Sequence, residues 1–164
     1  MVTPDHRLWI TGGLSGATKL ESTLLVSGDG PSEKGPNLPN GFFHHAIVSI
    51  NGTTSSLIGG MPALGTVTDA TYYFSHETGQ WMVGPKLIQA RLDHTAGLVT
   101  DKVTNETFVI VVGGQSRIQT TNFEVNTTEI LMDGNWVSGE KYYHHAMNIV
   151  FWLFFVQLDH QQKQ

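Results

Sequence analysis

Five of the eight histidines stand in three groups, at positions 44 and 45, at 94, and at 144 and 145. Such groups suggest a metal site, because neutral imidazole is the commonest metal ligand among side chains. The groups recur about 50 residues apart, as markers of a repeat would. Adjacent side chains of a β-strand also point to opposite faces. The pattern therefore favours one marker per repeat unit, and we predict no metal ligand.

Nucleophiles and phosphate-binding loops are equally scarce. The chain has no cysteine, which excludes disulfides, thiolate metal sites, iron–sulfur clusters and a cysteine nucleophile. Ser15 lies in Gly13-Leu14-Ser15-Gly16, which lacks the Gly-x-Ser-x-Gly frame of a nucleophile elbow. Gly28-Asp29-Gly30 has no strand-then-helix context, so it predicts a turn and not a phosphate cradle. We therefore predict no catalytic residue, no enzyme activity and no cofactor.

Composition narrows the class of protein further. The 164 residues include 18 glycines, and only 14% are charged, against about 25% in an average protein. The net charge of −5 is spread thinly and no basic face stands out, so we predict no nucleic-acid partner. The apolar run from Ile149 to Val156 is far shorter than the ~20 residues of a membrane helix, so we predict no membrane insertion. Residues 1–7 lack the apolar segment of a secretory signal, and the compartment stays open.

Three markers repeat in one order along the chain. Alanines close the histidine groups at 46, 96 and 146, and Gly-Pro-x-Leu occurs at 35–38 and 84–87. Trp81 and Trp136 follow glycine doublets at nearly equal distances. The order and the period predict a structural repeat of about 50 residues. The doublets themselves, each after an apolar triplet, are Gly12-Gly13, Gly59-Gly60 and Gly113-Gly114.

Each period contains four short segments of β character. In the second period these are residues 46–50, a segment ending at Gly59, residues 70–74 and a segment around Trp81. Asn51-Gly52 separates the first two, which is a strong hairpin signal because both residues tolerate positive φ. The third period ends similarly, with residues 128–132, the turn Asp133-Gly134 and Trp136-Val137. No apolar periodicity of 3.6 residues is long enough to predict a helix.

These features resemble the kelch repeat, whose unit of about 50 residues forms one blade of a β-propeller. The resemblance rests on the doublets, on the spacing from Tyr72-Tyr73 to Trp81, and on Arg91-Leu92-Asp93-His94. It covers roughly residues 7–150. The sequence departs from the pattern in three ways: Ser32 stands for tryptophan, Ser138-Gly139 for Gly-Pro, and Phe42 and Tyr142 for the arginine.

The resemblance implies an all-β fold, a partial kelch-type β-propeller of about three four-stranded antiparallel blades. The expected blades span residues 7–40, 41–90 and 91–141, with the start of a fourth at 142–150 and an atypical apolar run and polar tail at 151–164. The successive blades would then contain three, four, four and one strands. Kelch propellers close with about five to seven blades, so we expect a fragment or a misjoined gene. The missing blades would come from the full-length chain or from a homo-oligomer, and an open arc is the remaining alternative.

The resemblance also separates architectural from binding residues. The six doublet glycines would allow positive φ and close approach of neighbouring blades, and Trp81 and Trp136 would pack between adjacent sheets. The loops at 14–19, 61–69 and 115–122, with 39–43, 88–93 and 139–143 beside them, are the expected binding face. Arg91, Ser116 and Arg117 lie in these loops and are the predicted contacts with an unidentified protein partner. For Arg91 a structural hydrogen bond between blades is the alternative.

Three Asn-x-Thr sequons complete the set of candidate sites, at Asn51, Asn105 and Asn126. Asn51 and Asn105 each stand eight residues before a glycine doublet, in the same hairpin of successive blades. They are candidate N-glycosylation sites, although asparagine is also simply a good turn residue. The sequence thus predicts a non-catalytic protein-interaction scaffold. The alternative is an extracellular glycosylated module that binds carbohydrate or matrix ligands.

Overall fold

The computed structural model describes residues 1–3, 5–28, 30–101 and 105–139. Within these ranges every regular element is a β-strand, so the all-β prediction is confirmed. The described part contains no helix that is long and apolar enough to cross a membrane. The expected fourth blade at 142–150, the segment 151–164, and His144 and His145 lie outside the described residues.

The first sheet has three antiparallel strands, β1 (Leu8–Thr11), β4 (Thr23–Val26) and β5 (Glu33–Lys34), in that order. A separate hairpin of β2 (Leu14–Ser15) and β3 (Thr18–Lys19) follows the first glycine doublet. Residues 1–3 lie along the other edge of β1, where the amide of Trp9 donates to the carbonyl of Met1 at 2.8 Å.

The second and third sheets each have four antiparallel strands. The second consists of β6 (Ala46–Ser49), β7 (Thr54–Ile58), β8 (Thr71–Ser75) and β9 (Gln80–Val83), in chain order. The third consists of β10 (Thr95–Thr100), β11 (Thr107–Val112), β14 (Thr128–Met132) and β15 (Asn135–Ser138). The described sheets therefore have the predicted three, four and four strands. The prediction of plain loops at 14–19 and 115–122 is wrong, because the first is the β2–β3 hairpin and the second lies in a hairpin of β12 (Gln115–Ile118) and β13 (Thr121–Glu124).

Local chemistry explains the tight turns. The side-chain oxygen of Asn51 accepts hydrogen bonds from the amides of Thr53 and Thr54, at 2.9 and 2.8 Å, and so closes the β6–β7 turn. In the β14–β15 turn both Asp133 and Gly134 have positive φ, 49° and 75°. Positive φ at both central residues matches the right-handed twist of the flanking strands. The turn residues thus set the register of each hairpin.

Strand pairing corrects the repeat register by one residue. Ala46 pairs with Ile58, directly before one glycine doublet, whereas Thr95 pairs with Val112, directly before the next. His45 is therefore equivalent to His94, and His44 to Asp93, both of which have positive φ. The equivalence of Ala46 with Ala96 is wrong, because the sequence marker matched residue type and not backbone position.

The predicted replacement of Gly-Pro by Ser138-Gly139 in the third repeat is also misaligned by one residue. The amide of Gly84 donates to the carbonyl of Thr71 at 2.9 Å, and the amide of Gly139 donates to that of Thr128 at 2.8 Å. Gly139 thus takes the place of Gly84, and the third repeat keeps the glycine that ends its last strand. A Cβ at Gly84 would lie 2.5 Å from the Thr71 hydroxyl oxygen, which explains the need for glycine there.

Two apolar layers hold consecutive sheets together. Between the second and third sheets, the buried layer consists of Val48, Ile58, Leu87, Val109, Val111 and Trp136. The indole nitrogen of Trp136 donates to the carbonyl of Pro85 at 3.1 Å. Between the first and second sheets, Trp9 contacts Phe74 and Trp81, with ring centroids 5.0 and 5.9 Å apart. Each of these three tryptophans therefore packs between neighbouring sheets, where it buries a large apolar area.

The second glycine doublet is a point of close approach between the second and third sheets. The amide of Gly60 donates to the carbonyl of Arg91, in the segment entering the third sheet, at 2.8 Å. A Cβ at Gly59 would lie 2.7 Å from the same oxygen. A side chain at Gly59 would therefore force the two sheets apart. Positive φ, the other predicted property, is found at all six doublet glycines: Gly12, Gly13, Gly59, Gly60, Gly113 and Gly114.

The first doublet makes the same contact between the first and second sheets. The amide of Gly13 donates to the carbonyl of Phe42, in the segment entering the second sheet, at 2.8 Å. A Cβ at Gly12 would collide with that carbonyl oxygen, so Gly12 is equivalent to Gly59. Close approach between sheets is thus found at the first glycine of each of these two doublets.

The prediction that a side chain at every doublet glycine would meet a neighbouring blade is wrong for Gly13 and Gly60, and the blade that would follow Gly113 and Gly114 lies outside the described residues. A Cβ at Gly114 would lie 2.5 Å from the carbonyl oxygen of Leu92, in the segment entering its own sheet. A Cβ at Gly60 would likewise meet His45 of its own repeat, at 2.8 Å. A Cβ at Gly13 would meet nothing within 4 Å, and one at Gly113 would lie 3.6 Å from the Val125 oxygen. At Gly60 and Gly114 the glycine is therefore needed because the doublet packs against the segment that enters its own sheet. The sequence marker alone could not show this role.

We predict that Gly59→Ala lowers the free energy of unfolding by about 1–3 kcal/mol, because it combines strained φ with a backbone collision. Gly52→Ala is the matched control, since a Cβ there meets nothing within 4 Å; we expect a change within about 0.5 kcal/mol. Urea unfolding monitored by tryptophan fluorescence measures both. Equal effects of the two substitutions would contradict the close approach.

Candidate functional site

The strands present two unlike ends. The segments after the glycine doublets, at 14–19, 61–69 and 115–124, and those before the inner strands, at 39–45 and 88–94, gather at one end; we call this the loop face. The hairpin turns at 51–53, 76–79 and 133–134 and the turn with Asn105 lie at the other end, the turn face. Antiparallel pairing places them so, because Gly59 and Asn51 lie at opposite ends of β7.

Arg91 lies in the segment 88–94 but is not at the surface. Its side chain is 0% exposed. One terminal nitrogen donates to the carbonyls of Gly113 and Thr127 at 2.9 and 3.0 Å, and the other forms an ion pair with the Glu129 carboxylate. These partners belong to the third repeat, so the side chain joins parts of one repeat. The hydrogen bond between repeats is made by the backbone carbonyl of Arg91, to Gly60.

Glu129 completes this network and was not predicted. Its carboxylate is 2% exposed and also accepts from the amides of Ile88 and Gln89, at 2.7 and 3.1 Å. The buried charge is therefore paired and hydrogen-bonded, as a buried charge must be. It holds the segment 88–91 on the third sheet. The available signal was an acidic residue at a core-facing position of the apolar strand Thr128–Met132.

The equivalent histidines His45 and His94 lie at the junctions of consecutive sheets, where His94 is buried and His45 is partly buried. The His45 ring nitrogen Nε2 lies 2.9 Å from the Thr11 hydroxyl of the first sheet. Burial, and then the charge of His44, lowers the pKa of His45 to about 4. Burial, and then Arg91, lowers the pKa of His94 to about 4. Both rings are therefore neutral packing elements near neutral pH.

Two exposed polar pairs lie on the loop face, one between repeats and one within the second repeat. His44 Nδ1 lies 2.6 Å from the Asp93 carboxylate, and both side chains are about half exposed. Lys86 pairs with Asp69 at 3.3 Å. Among the described residues, no three histidine, aspartate or glutamate side chains come together in a group that could hold a metal ion.

Arg117 and Ser116 lie on β12, the first strand of the hairpin after the third doublet. Ser116 is 6% exposed, so its side chain is not presented to solvent. Arg117 is half-buried, and its terminal nitrogen is 3.4 Å from the position of a Cβ on Gly65. The Arg117 guanidinium thus lies against the neighbouring segment 61–69. Its Nε atom is buried and has no hydrogen-bond partner in the described part of the chain.

Apolar side chains are exposed on each of the three segments after the doublets. Leu14, Leu64 and Ile118 are 40%, 63% and 67% exposed. These three residues were not predicted, because only polar side chains were considered as contacts in these loops. Leu64 and Ile118 are the chain neighbours of Gly65 and Arg117, so each of the two segments that meet at Arg117 carries an exposed apolar side chain.

The sequon asparagines are all exposed, at different ends of the sheets. Asn51 and Asn105 lie in hairpin turns of the turn face, whereas Asn126 precedes β14 at the loop-face end. The Thr53 hydroxyl lies 3.0 Å from the side-chain oxygen of Asn51. The third residue of the Asn126 sequon, Thr128, is instead 1% exposed.

A cavity of about 270 Å³, which was not predicted, lies between the first and second sheets. Its apolar walls include Trp9, Leu25 and Phe74, and its polar edge includes Asp5 and Arg7. Arg7 pairs with Asp5 at 2.6 Å and with Glu33 at 3.0 Å. A hydrogen bond from Thr3, and then Arg7, lowers the pKa of Asp5 to about 2.

The sheets and their packing define an all-β protein built from small antiparallel sheets. No protein-family model and no curated protein matches the chain. The chain is similar to the solved structure of YjhT, with a TM-score of 0.62 and 15% sequence identity. The match covers 74% of this chain and 39% of YjhT, so the chain spans well under half the length of that structure. At this identity the likeness shows the fold alone.

We predict that Arg91→Met lowers the free energy of unfolding by about 3–5 kcal/mol, because it leaves the Glu129 carboxylate buried without its cation. The double variant Arg91→Met/Glu129→Gln should recover part of this loss, since the amide stays neutral and still accepts from Ile88 and Gln89. Equilibrium urea unfolding measures both. A single variant as stable as the parent would show that the pair does not anchor the segment 88–91.

The buried histidines predict a pH dependence. An unfolded histidine has a pKa of 6.5, and the folded values of His45 and His94 are about 4. Between these values the unfolded chain binds more protons, so stability falls as the pH falls from about 6.5 to about 4. Each histidine contributes a slope of up to about 1.4 kcal/mol per pH unit. Unfolding measured across this range should show a shallower slope for His94→Gln; an unchanged slope would contradict burial of a neutral ring.

Proposed function

We propose that this chain is part of a kelch-type β-propeller that serves as a non-catalytic protein-interaction scaffold. The glycine doublets, the sheets of three, four and four strands and the tryptophans between them support the propeller assignment. The observation that carries the function is the loop face, where Arg117 reaches the neighbouring segment at Gly65 and both segments expose an apolar side chain, Leu64 and Ile118. The scaffold would hold these segments rigidly for a protein partner.

The physical argument concerns what the loop face exposes. Leu64 and Ile118 are about two-thirds exposed and would lose unfavourable contact with water in a complex. Arg117 forms no ion pair with any described residue, whereas Arg7 and Arg91 are both paired. A planar guanidinium beside apolar side chains is a common anchor of protein interfaces. The burial of Arg91 and Ser116 leaves Arg117 as the candidate contact among the three predicted residues.

We predict that Arg117→Ala and Leu64→Asp each weaken partner binding at least tenfold while leaving thermal stability within about 0.5 kcal/mol. A photo-reactive residue at position 118 identifies the partner by cross-linking in cells, and titration with that partner then gives the affinities. Val83→Asp is the matched control, because Val83 is 81% exposed but lies on the edge strand β9, outside the segments that form the loop face.

Equal losses of binding and stability would remove the binding role from Arg117. A control photo-reactive residue at position 77, on the turn face, should capture no common partner. Capture of the same partner from positions 77 and 118 would contradict a specific loop-face interface.

An extracellular glycosylated module that binds carbohydrate or matrix ligands is the second candidate. It is favoured by the exposure of Asn51, Asn105 and Asn126, the first two of which lie on the turn face. The mass of the native protein before and after glycosidase treatment separates the two candidates.

A further inference from the structure

The second sheet covers one face of the third sheet, and no other described sheet covers the opposite face. Val109, Val111 and Trp136 pack against the second sheet. Side chains alternate along a strand, so their neighbours Ile110, Ile130 and Val137 face the other way. Strand pairing aligns these three in one row across β11, β14 and β15. We call this apolar surface, with Val99 and Phe108 beside the row, the trailing face.

The first sheet has the complementary arrangement. Trp9 is 2% exposed and packs on Phe74 of the second sheet. Its neighbours Leu8 and Ile10 face the other way and are 46% and 48% exposed, with Leu24 of β4 beside Ile10 at 37%. We call this surface, formed by Leu8, Ile10 and Leu24, the leading face.

The repeat shows what normally covers both faces. Counted from the glycine doublets, Ile10 is equivalent to Leu57 and Val111, which are each 0% exposed because the preceding sheet covers them. Ile110 is equivalent to Trp9 and Ser56, which are 2% and 1% exposed under the following sheet. The same positions are thus fully buried between the described sheets, whereas Ile10 is 48% exposed and Ile110 is partly exposed. The leading and trailing faces are the two halves of an interface that the chain already forms twice.

We propose that a second copy of this chain docks head to tail, with its leading face on the trailing face of the first. One copy carries one half of the interface on its first sheet and the other half on its third sheet, so two copies present complementary halves to each other. The contact continues the sheet-on-sheet packing of Trp136 and Val111 on the second sheet. It is a heterologous interface, in which unlike surfaces of identical chains meet. This inference goes beyond the proposed function and does not involve Arg117.

The experiment uses two variants that each disable one face. Ile10→Asp places a charge on β1, in the leading face. Val137→Asp places one on the edge strand β15, in the trailing face. Sedimentation equilibrium over a range of concentrations should show self-association of the parent chain. Each variant alone should associate about 100-fold more weakly, because an unpaired carboxylate would be buried. The control Val83→Asp should associate like the parent.

Mixing the two variants tests the head-to-tail geometry. Ile10→Asp keeps an intact trailing face and Val137→Asp keeps an intact leading face, so an equimolar mixture should regain a complex of parent-like affinity. If circular dichroism shows that either variant is unfolded, Ile10→Thr and Val137→Thr repeat the design with smaller changes.

Three results would overturn the proposal. A parent chain that stays monomeric at every concentration would show that another part of the chain or a different protein covers the faces. Self-association that survives both Ile10→Asp and Val137→Asp would place the contact elsewhere. A mixture that remains monomeric would exclude the head-to-tail arrangement. None of these results affects binding at the loop face, which is measured separately.

Discussion

Close approach of consecutive sheets at the first two glycine doublets is the constraint on which the rest of the structure depends. The second glycine, Gly13 or Gly60, donates its amide to a carbonyl of the segment entering the next sheet. The first, Gly12 or Gly59, leaves no room for a Cβ beside that same carbonyl. Only positive φ allows this geometry, so each strand before a doublet must end there. The spacing of the sheets, the burial of the tryptophans and the position of the loop face all follow from this contact.

The buried polar groups reinforce that contact. Arg91 and Glu129 hold the segment whose carbonyl receives the Gly60 amide, so a charge network within one repeat supports a hydrogen bond between repeats. His45 and His94 fill the adjacent space as neutral rings. A rigid set of junctions of this kind can display segments of variable sequence, as binding scaffolds do. The apolar side chains and Arg117 on the loop face are consistent with that use.

Much of the fold could be predicted from the sequence because its signals are local. Asn51-Gly52 and Asp133-Gly134 specify their turns, and the doublets mark strand ends, so the strand number of each sheet followed. The alanine register was wrong because residue type does not report backbone position, and for the same reason the sequence could not show that a Cβ at Gly60 would meet its own repeat. Glu129 and the burial of Arg91 could not be predicted, since their partners are about 40 residues apart and meet only through strand pairing. The β12–β13 hairpin was missed because its polar residues resemble those of a loop.

Amide hydrogen exchange at Gly13 and Gly60 tests the central claim most directly, because each amide is predicted to be held by a carbonyl outside its own sheet. In an NMR exchange experiment on the full chain, both amides should be protected to the same degree as the paired amides of β7. Protection of the β7 amides together with fast exchange at Gly13 and Gly60 would contradict the account. It would show that the sheets form without the close contact on which we base their packing.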